Sequence, residues 1–352
     1  MSQFHSLEIK SVNKVTDKSV AISFKVPEDL KDIFIFEAGQ YITLRTKING
    51  EEIRRDYSIC SSKGSGDLTV AVKAVEDGTF SIYANNSLKV GDVIDVATPN
   101  GRFVFEANEA KTRTIAAFAA GSGITPILSI AKTLLEDEPF SNFILVYGNK
   151  SLNDAMFTQD LLQLKERYGN RFHIHFIYSQ SQEEDALFGR IEKSTVNLIV
   201  KNKYKDVTVE KFYLCGPEQM IHTVKDVLLE NSIKEKNILF ELFTAPIESN
   251  SKSDISISGV SSMIKVIVDE EEFEFEMSKK QTILEATLKK DIDAPYSCQG
   301  GICSSCIARI TEGQTEMRQN NILTDSEVAE GLVLTCQAHP TSDSVIVDYD
   351  DV

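Results

Sequence analysis

The chain has 352 residues, 42% hydrophobic and 26% charged, a length and balance that require two or three domains, each with its own core. A formal net charge of −16 disfavours nucleic acid or an anionic membrane as partner, because the average surface repels both. No window nears the roughly 18 consecutive apolar residues of a membrane span, the opening MSQFHSLEIK has no signal-peptide pattern, and six cysteines without an export signal point to a reducing cytoplasm.

From residue 6 to about 106 the chain reads as short alternating segments, such as SVAISFKV (Ser19–Val26) and DLTVAVKAV (Asp67–Val75), punctuated by Gly, Asp and Asn. Such alternation predicts an antiparallel β-barrel, a domain over 1–108. Within it lies RRDYSICSS. Arg55 suits a phosphate, Tyr57 an aromatic ring system and Ser58 the polar edge of that ring, although the same letters also describe an ordinary strand with an arginine. Further on, EDGTFSIYANN puts Gly78, Thr79 and Ser81 at an expected helix start, a second cradle for an anion. Cys60 reads as structural.

From Arg113 apolar strands alternate with amphipathic helices: RTIAAFAAG then TPILSIAKTLL, NFILVYGN then MFTQDLLQLKERY, FHIHFIY, KFYLCG then PEQMIHTVKDVLLE, and NILFELF. This alternation predicts a doubly wound parallel sheet over 109–245. Gly121, Gly123 and Pro126 fall between the first strand and its helix, where bare backbone and a helix N-terminus suit a pyrophosphate. Pro126 fits a first helical turn, but it stands where the third glycine of G-x-G-x-x-G belongs, so the Rossmann fingerprint is not indicated, and an ordinary strand–helix turn remains an alternative. Cys215 ends a strand where α/β sheets bind ligands, or is a small buried residue closing it. His173 and His175 share one strand face; without a third ligand they read as polar strand positions rather than a metal pair.

Residues 246–262, polar and serine-rich, read as a linker. The remainder, 263–352, opens with a hairpin pattern (MIKVIVDEEEFEFEM), starts a helix near Thr282 and ends in SVIVDYD. Between them stands PYSCQGGICSSC. Cys298, Cys303 and Cys306 are spaced C-x4-C-x2-C, with 29 residues to Cys336, the arrangement of a plant-type [2Fe–2S] centre. Gly300 and Gly301 let the backbone wrap a cluster, and peptide N–H groups with Ser304 or Ser305 are donors for its sulfurs. Zinc, which prefers cysteines in two short pairs, fits the spacing poorly. A cluster moves one electron while biological reductant usually arrives as a hydride, so a splitter is required between them, and flavin is the usual one.

The order of RDYS, DGTFS, AAGSGITP, YGNK, LCGPEQM, ELF and the C-terminal cysteines resembles, over essentially the whole chain, the ferredoxin–NADP reductase superfamily fused to a plant-type ferredoxin. Within it the chain looks like the reductase components of phenylacetyl-CoA epoxidase (ring-1,2-oxygenase) systems, whose partner is a di-iron oxygenase. The resemblance implies an α+β β-grasp fold for the last domain. It also implies that Arg55, Tyr57 and Ser58 bind FAD, with Val72, Lys73, Gly78, Thr79 and Ser81 on its diphosphate side. Gly121, Gly123, Ile124, Thr125 and Pro126, with Cys215, Gly216 and Pro217, would line the nicotinamide dinucleotide site. Ser58, Cys215 and Glu241 become the candidate catalytic residues, Glu241 and Phe243 facing the flavin. Ser179 and Gln180, with Arg190, would meet the adenosine ribose; no acid stands directly at Ser179 or Gln180 and Arg190 suits a 2′-phosphate, which favours NADPH over NADH. Gln299 stands where chloroplast-type ferredoxins often carry arginine. The electron acceptor implied is an oxygenase complex; a ring-hydroxylating dioxygenase, a desaturase, a cytochrome, or a redox-sensing role are the alternatives.

Overall fold

The computed structural model describes residues 4–243 and 261–352. The chain divides into two compact units, the larger comprising His5–Ile53 with Tyr57–Phe243 and the smaller carrying the C-terminal residues up to Val352. The expected linker lies outside the described residues as far as 260; Ser261 and Ser262 already belong to a strand.

The barrel is built from β1 (Phe4–Thr16), β2 (Ser19–Lys25), β3 (Tyr41–Ile48), β4 (Glu51–Ser58), β5 (Leu68–Lys73), the helix α1 (Thr79–Asn86) and β6 (Val93–Ala97). Its strands run in the order β4-β3-β6-β1-β2-β5. Ile59, directly after β4, bridges antiparallel to Val70 of β5, so the two ends of that order meet and the sheet closes. Alternation explains why: Val20, Ile22 and Phe24 of β2 pack inward with Leu7, Ile9, Leu44, Val70 and Val96, while Ala21 and Ser23 between them face the other side and are half-buried.

Next come β7 (Thr114–Ala120), α2 (Ile124–Asp137), β8 (Asn142–Asn149), α3 (Thr158–Tyr168), β9 (Phe172–Tyr178), β10 (Ala186–Phe188), α4 (Lys193–Asn197), β11 (Val209–Cys215), α5 (Glu218–Glu230) and β12 (Ile238–Glu241). The sheet is parallel, ordered β10-β9-β8-β7-β11-β12. The order reverses between β7 and β11, and ligands of open α/β sheets bind outside the carboxyl ends of strands at such a switch. Apolar runs such as Ile115–Phe118 and Phe143–Tyr147 are buried throughout, as strands covered on both faces must be.

At the opposite edge, the amino ends of the strands, an ion pair ties the sheet to the chain arriving from the barrel. Arg113 clamps Glu138 through Nε and Nη2 at 3.1 and 2.6 Å, reaches the Glu106 carbonyl at 2.8 Å and Glu210 at 2.7 Å. Ser141 Oγ and the Asn108 N–H donate to the same Glu138 carboxylate. Burial alone would raise Glu138; these donors outweigh it and hold the carboxyl below its usual range.

The smaller unit contains β13 (Ser261–Val268), β14 (Glu271–Ser278), α6 (Ile283–Leu288), β15 (Ile307–Glu312), β16 (Thr315–Met317), α7 (Asp325–Ala329), β17 (Leu332–Leu334), β18 (Ala338–Pro340) and β19 (Ser344–Asp348). A mixed five-stranded sheet ordered β14-β13-β19-β15-β17 covers one core with α6. Thr282 opens α6 through a reciprocal capping box with Glu285.

Candidate functional site

Gly121 leaves β7 with φ +56, a left-handed conformation that favours glycine, and a Cβ built there would meet nothing within 4 Å. Gly123 is required for the opposite reason: a Cβ would stand 2.2 Å from the Cys215 carbonyl oxygen and 2.8 Å from the Gly216 nitrogen. The glycine turn and the LCGP segment, far apart in sequence, therefore press backbone to backbone at the switch point. No side chain caps the N-terminus of α2, whose first turn carries Ile124, Thr125 and Pro126, with Thr125 Oγ1 donating to the Ser122 carbonyl at 3.0 Å. Pro217 caps α5 on the other side.

Cys215 pairs in register with Ala119 of β7 and Glu241 of β12. Its thiol is wholly buried and held well above the ordinary range, by burial first and by the Glu241 charge second. Ser58 closes the group from the barrel, its Oγ donating to Glu241 Oε2 at 3.2 Å. Phe243, just after β12, is 39% exposed.

Behind Ser58, Tyr57 is half-buried with Phe80 at a centroid distance of 5.5 Å, so its ring is set by α1. Arg55 is exposed, Val72 is buried and burial lowers the pKa of Lys73. The N-terminus of α1, Gly78–Thr79, has no side-chain cap, which leaves first-turn N–H groups for an anion. Ser81, expected to face that anion, is turned inward: its Oγ accepts from the Val75 N–H at 3.2 Å and donates to the Gly78 carbonyl at 3.4 Å, shaping the cradle instead. Ser179 and Arg190 follow β9 and β10 at one sheet edge, where Phe188 pairs with Tyr178. The Ser179 N–H donates to the Asn149 carbonyl.

Among the described residues no three His, Cys, Asp or Glu side chains converge as a single metal ion requires. The four C-terminal thiols instead come together two and two. The Cys303 hydrogen bond, aided by the N–H groups of Gly300 and Ile302, holds Cys298 below the usual thiol range while Cys303 is pushed up; Cys336 and Cys306 form the same kind of unequal pair. Two thiol pairs within mutual electrostatic reach suit two irons, each with two ligands, better than one tetrahedral ion. Gly300 N–H lies 3.4 Å from Cys298 Sγ, and Gln337, a donor the spacing did not disclose, has Nε2 3.7 Å from Cys336 Sγ.

His175 Nε2 lies 2.8 Å from the Tyr204 hydroxyl and its Nδ1 accepts from Lys203 at 3.3 Å. The Cys60 thiol donates to the Thr69 carbonyl and burial pushes it up to about 12.

Residues 6–105 match the oxidoreductase FAD-binding domain, 118–226 the oxidoreductase NAD-binding domain and 266–341 the 2Fe-2S iron-sulfur cluster binding domain. Fold and site thus define an NAD(P)H-dependent flavin and iron–sulfur oxidoreductase. The chain is 36% identical to a component of the 1,2-phenylacetyl-CoA epoxidase of Escherichia coli (strain K12), with 99% of each chain covered. It is 28% identical to the ferredoxin reductase component of 3-ketosteroid-9-alpha-monooxygenase of Rhodococcus rhodochrous, covering 97% of this chain and 96% of that one. It belongs to the family of ferredoxin–NADP reductase-like proteins that carry a C-terminal [2Fe–2S] ferredoxin domain. Phthalate dioxygenase reductase, at 23% identity, shares the fold with a TM-score of 0.63 over 98% of each chain. No helix among the described residues is long and apolar enough to cross a membrane.

Proposed function

We propose that the chain takes reducing equivalents from NADPH and delivers them, by way of FAD and a [2Fe–2S] cluster, to a di-iron oxygenase, the phenylacetyl-CoA epoxidase of aerobic phenylacetate degradation. When bound, FAD accepts a hydride and releases electrons singly, and the cluster carries one electron at a time. The chain's residues align these groups and need no strong acid or base.

Arg55 and the open N-terminus of α1 at Gly78 and Thr79 neutralise the flavin diphosphate, Lys73 adds a cation and Val72 lends backbone. Tyr57 offers a ring face backed by Phe80. Ser58, anchored on Glu241, presents a hydroxyl to the flavin's polar edge. Gly121 and Gly123, with the first turn of α2 and with Gly216 and Pro217, receive the pyrophosphate and nicotinamide, next to the neutral thiol of Cys215. Phe243 lies at the same end. Cys298, Cys303, Cys306 and Cys336 hold the cluster, and six free thiols suit a cytoplasmic setting.

The observation that carries this reading is the meeting of Ser58, Cys215, Glu241 and the glycine turn at one sheet edge. The likeness to a phenylacetyl-CoA epoxidase component supports the oxygenase as acceptor. Coupled turnover with a purified phenylacetyl-CoA oxygenase complex tests it: epoxide formed in step with nucleotide consumed is expected, and nucleotide oxidation without epoxide, alongside turnover with a ring-hydroxylating dioxygenase, overturns the acceptor.

NADH is the second reading. Ser179 and Arg190 support a 2′-phosphate, but Glu183 is near enough to raise the Tyr178 phenol to about 12 after burial has done most of the work, and an acid there favours a free ribose.

A further inference from the structure

Tyr147 lies near the end of β8 with 0% of its surface exposed, and its hydroxyl makes two bonds to two different loops. It donates to the carbonyl of Gly121 at 3.0 Å and accepts from the N–H of Met156 at 3.1 Å. Gly121 opens the glycine turn after β7. Met156, itself fully buried, lies near the end of the loop after β8.

Both loops need such an anchor. Gly121 has no Cβ, sits at φ +56 and has open space where one would be, so its peptide turns easily between conformations of either φ sign. Phe157, directly after Met156, stands at φ +60, a region that bulky residues rarely adopt and that persists only when its surroundings impose it. A hydroxyl carried by a strand interior to the sheet is a fixed point to which both are tied.

We propose that Tyr147 is a positioning residue for the pyridine nucleotide: its hydroxyl locks the Gly121 carbonyl, and with it the glycine turn, in the orientation that receives the dinucleotide. This rests on the reading of Gly121–Gly123 as the nucleotide site. Burial pushes the phenol far above its ordinary value, so it remains a donor throughout the working pH range.

The test is Tyr147→Phe in the holoenzyme, which keeps the ring and deletes the hydroxyl with its bonds to Gly121 and Met156 and its interaction with Asn149. Anaerobic stopped-flow reduction of the flavin over a series of NADPH concentrations gives the nucleotide affinity and the saturating rate separately. Expected is an affinity weakened about tenfold, equivalent to about 1.4 kcal/mol. The saturating rate, flavin content and dithionite reduction should stay close to wild type, and the melting temperature should fall only by the few degrees that an unpaired buried N–H costs. A variant that melts well below wild type, or binds nucleotide as wild type does, overturns the positioning role. Gly121→Val at the same turn separates the two levels. If it weakens nucleotide binding while Tyr147→Phe does not, the Tyr147 inference alone fails; if neither variant changes affinity, the reading of the turn as the nucleotide site fails.

Discussion

Ser58 Oγ donates to the Glu241 carboxylate at 3.2 Å, joining the last residue of a barrel strand to the last residue of the outermost strand of the parallel sheet. Glu241 in turn stands in register with Cys215. The bond fixes where the serine hydroxyl points, and it does so from the sheet that carries the glycine turn. Ser58→Ala should therefore slow flavin reduction by NADPH about tenfold or more, the scale of one well-aimed hydrogen bond, with nucleotide affinity nearly unchanged. Glu241→Gln, which keeps an acceptor, should lose less. Stopped-flow flavin bleaching checks both, and equal losses in the two variants would argue that the carboxylate acts directly rather than through Ser58.

The Arg113–Glu138 pair works at the other edge of the same sheet. Glu138 is fully buried and Arg113 nearly so, and Arg113→Leu would leave a carboxylate that retains only Ser141 and Asn108 as donors. Breaking such a pair from one side costs about 3–5 kcal/mol. Thermal or urea denaturation should register that loss, while nucleotide affinity measured well below the transition stays unaltered, since the pair sits at the amino ends of the strands and the site at their carboxyl ends.

Much of this organisation is legible in the amino-acid order. Alternation in Ser19–Val26 marks a strand with one buried face because a pleated strand turns every second side chain inward. The cysteine spacing identifies the cluster loop because only a few ligand geometries match it. Other features are not legible. Arg113 and Glu138 are charges that composition would assign to the surface, and only the fold brings them together. Ser81 reads as an anion ligand because hydroxyls at helix starts often are; its inward turn depends on the Val75 loop. The three-residue edge strand β10 is too short to carry a period, and a tyrosine in YGNK gives no sign that its hydroxyl spans two loops.

His175 makes a pH dependence that can be signed. Burial first, then the charge of Lys203, with His173 and Lys165 adding to it, lowers its pKa from 6.5 to about 4. Lys203 can only donate, so Nδ1 accepts and the neutral ring carries its proton on Nε2, facing Tyr204. The unfolded chain takes up this proton before the folded one, so the stability His175 contributes is complete above pH 6.5 and is lost as pH falls towards 4. His175→Gln should flatten that part of a melting temperature against pH profile; an unchanged slope would show that other groups govern it.

Cys303→Ala removes one thiol of the Cys298–Cys303 pair. Iron content and the cluster's visible absorbance should fall to background, flavin content and the rate of flavin reduction by NADPH should persist, and electron delivery to the oxygenase should stop. Retained delivery without iron would place the exit of electrons elsewhere.

The most direct measurement is an anaerobic titration of the purified protein with NADPH and, separately, NADH, following flavin and iron–sulfur absorbance together. Bleaching of both chromophores by low concentrations of NADPH, with NADH less effective, is the expected result. Bleaching of the flavin while the cluster stays oxidised would contradict the proposed order of transfer, and bleaching by neither nucleotide would contradict the site at Gly121 and Cys215.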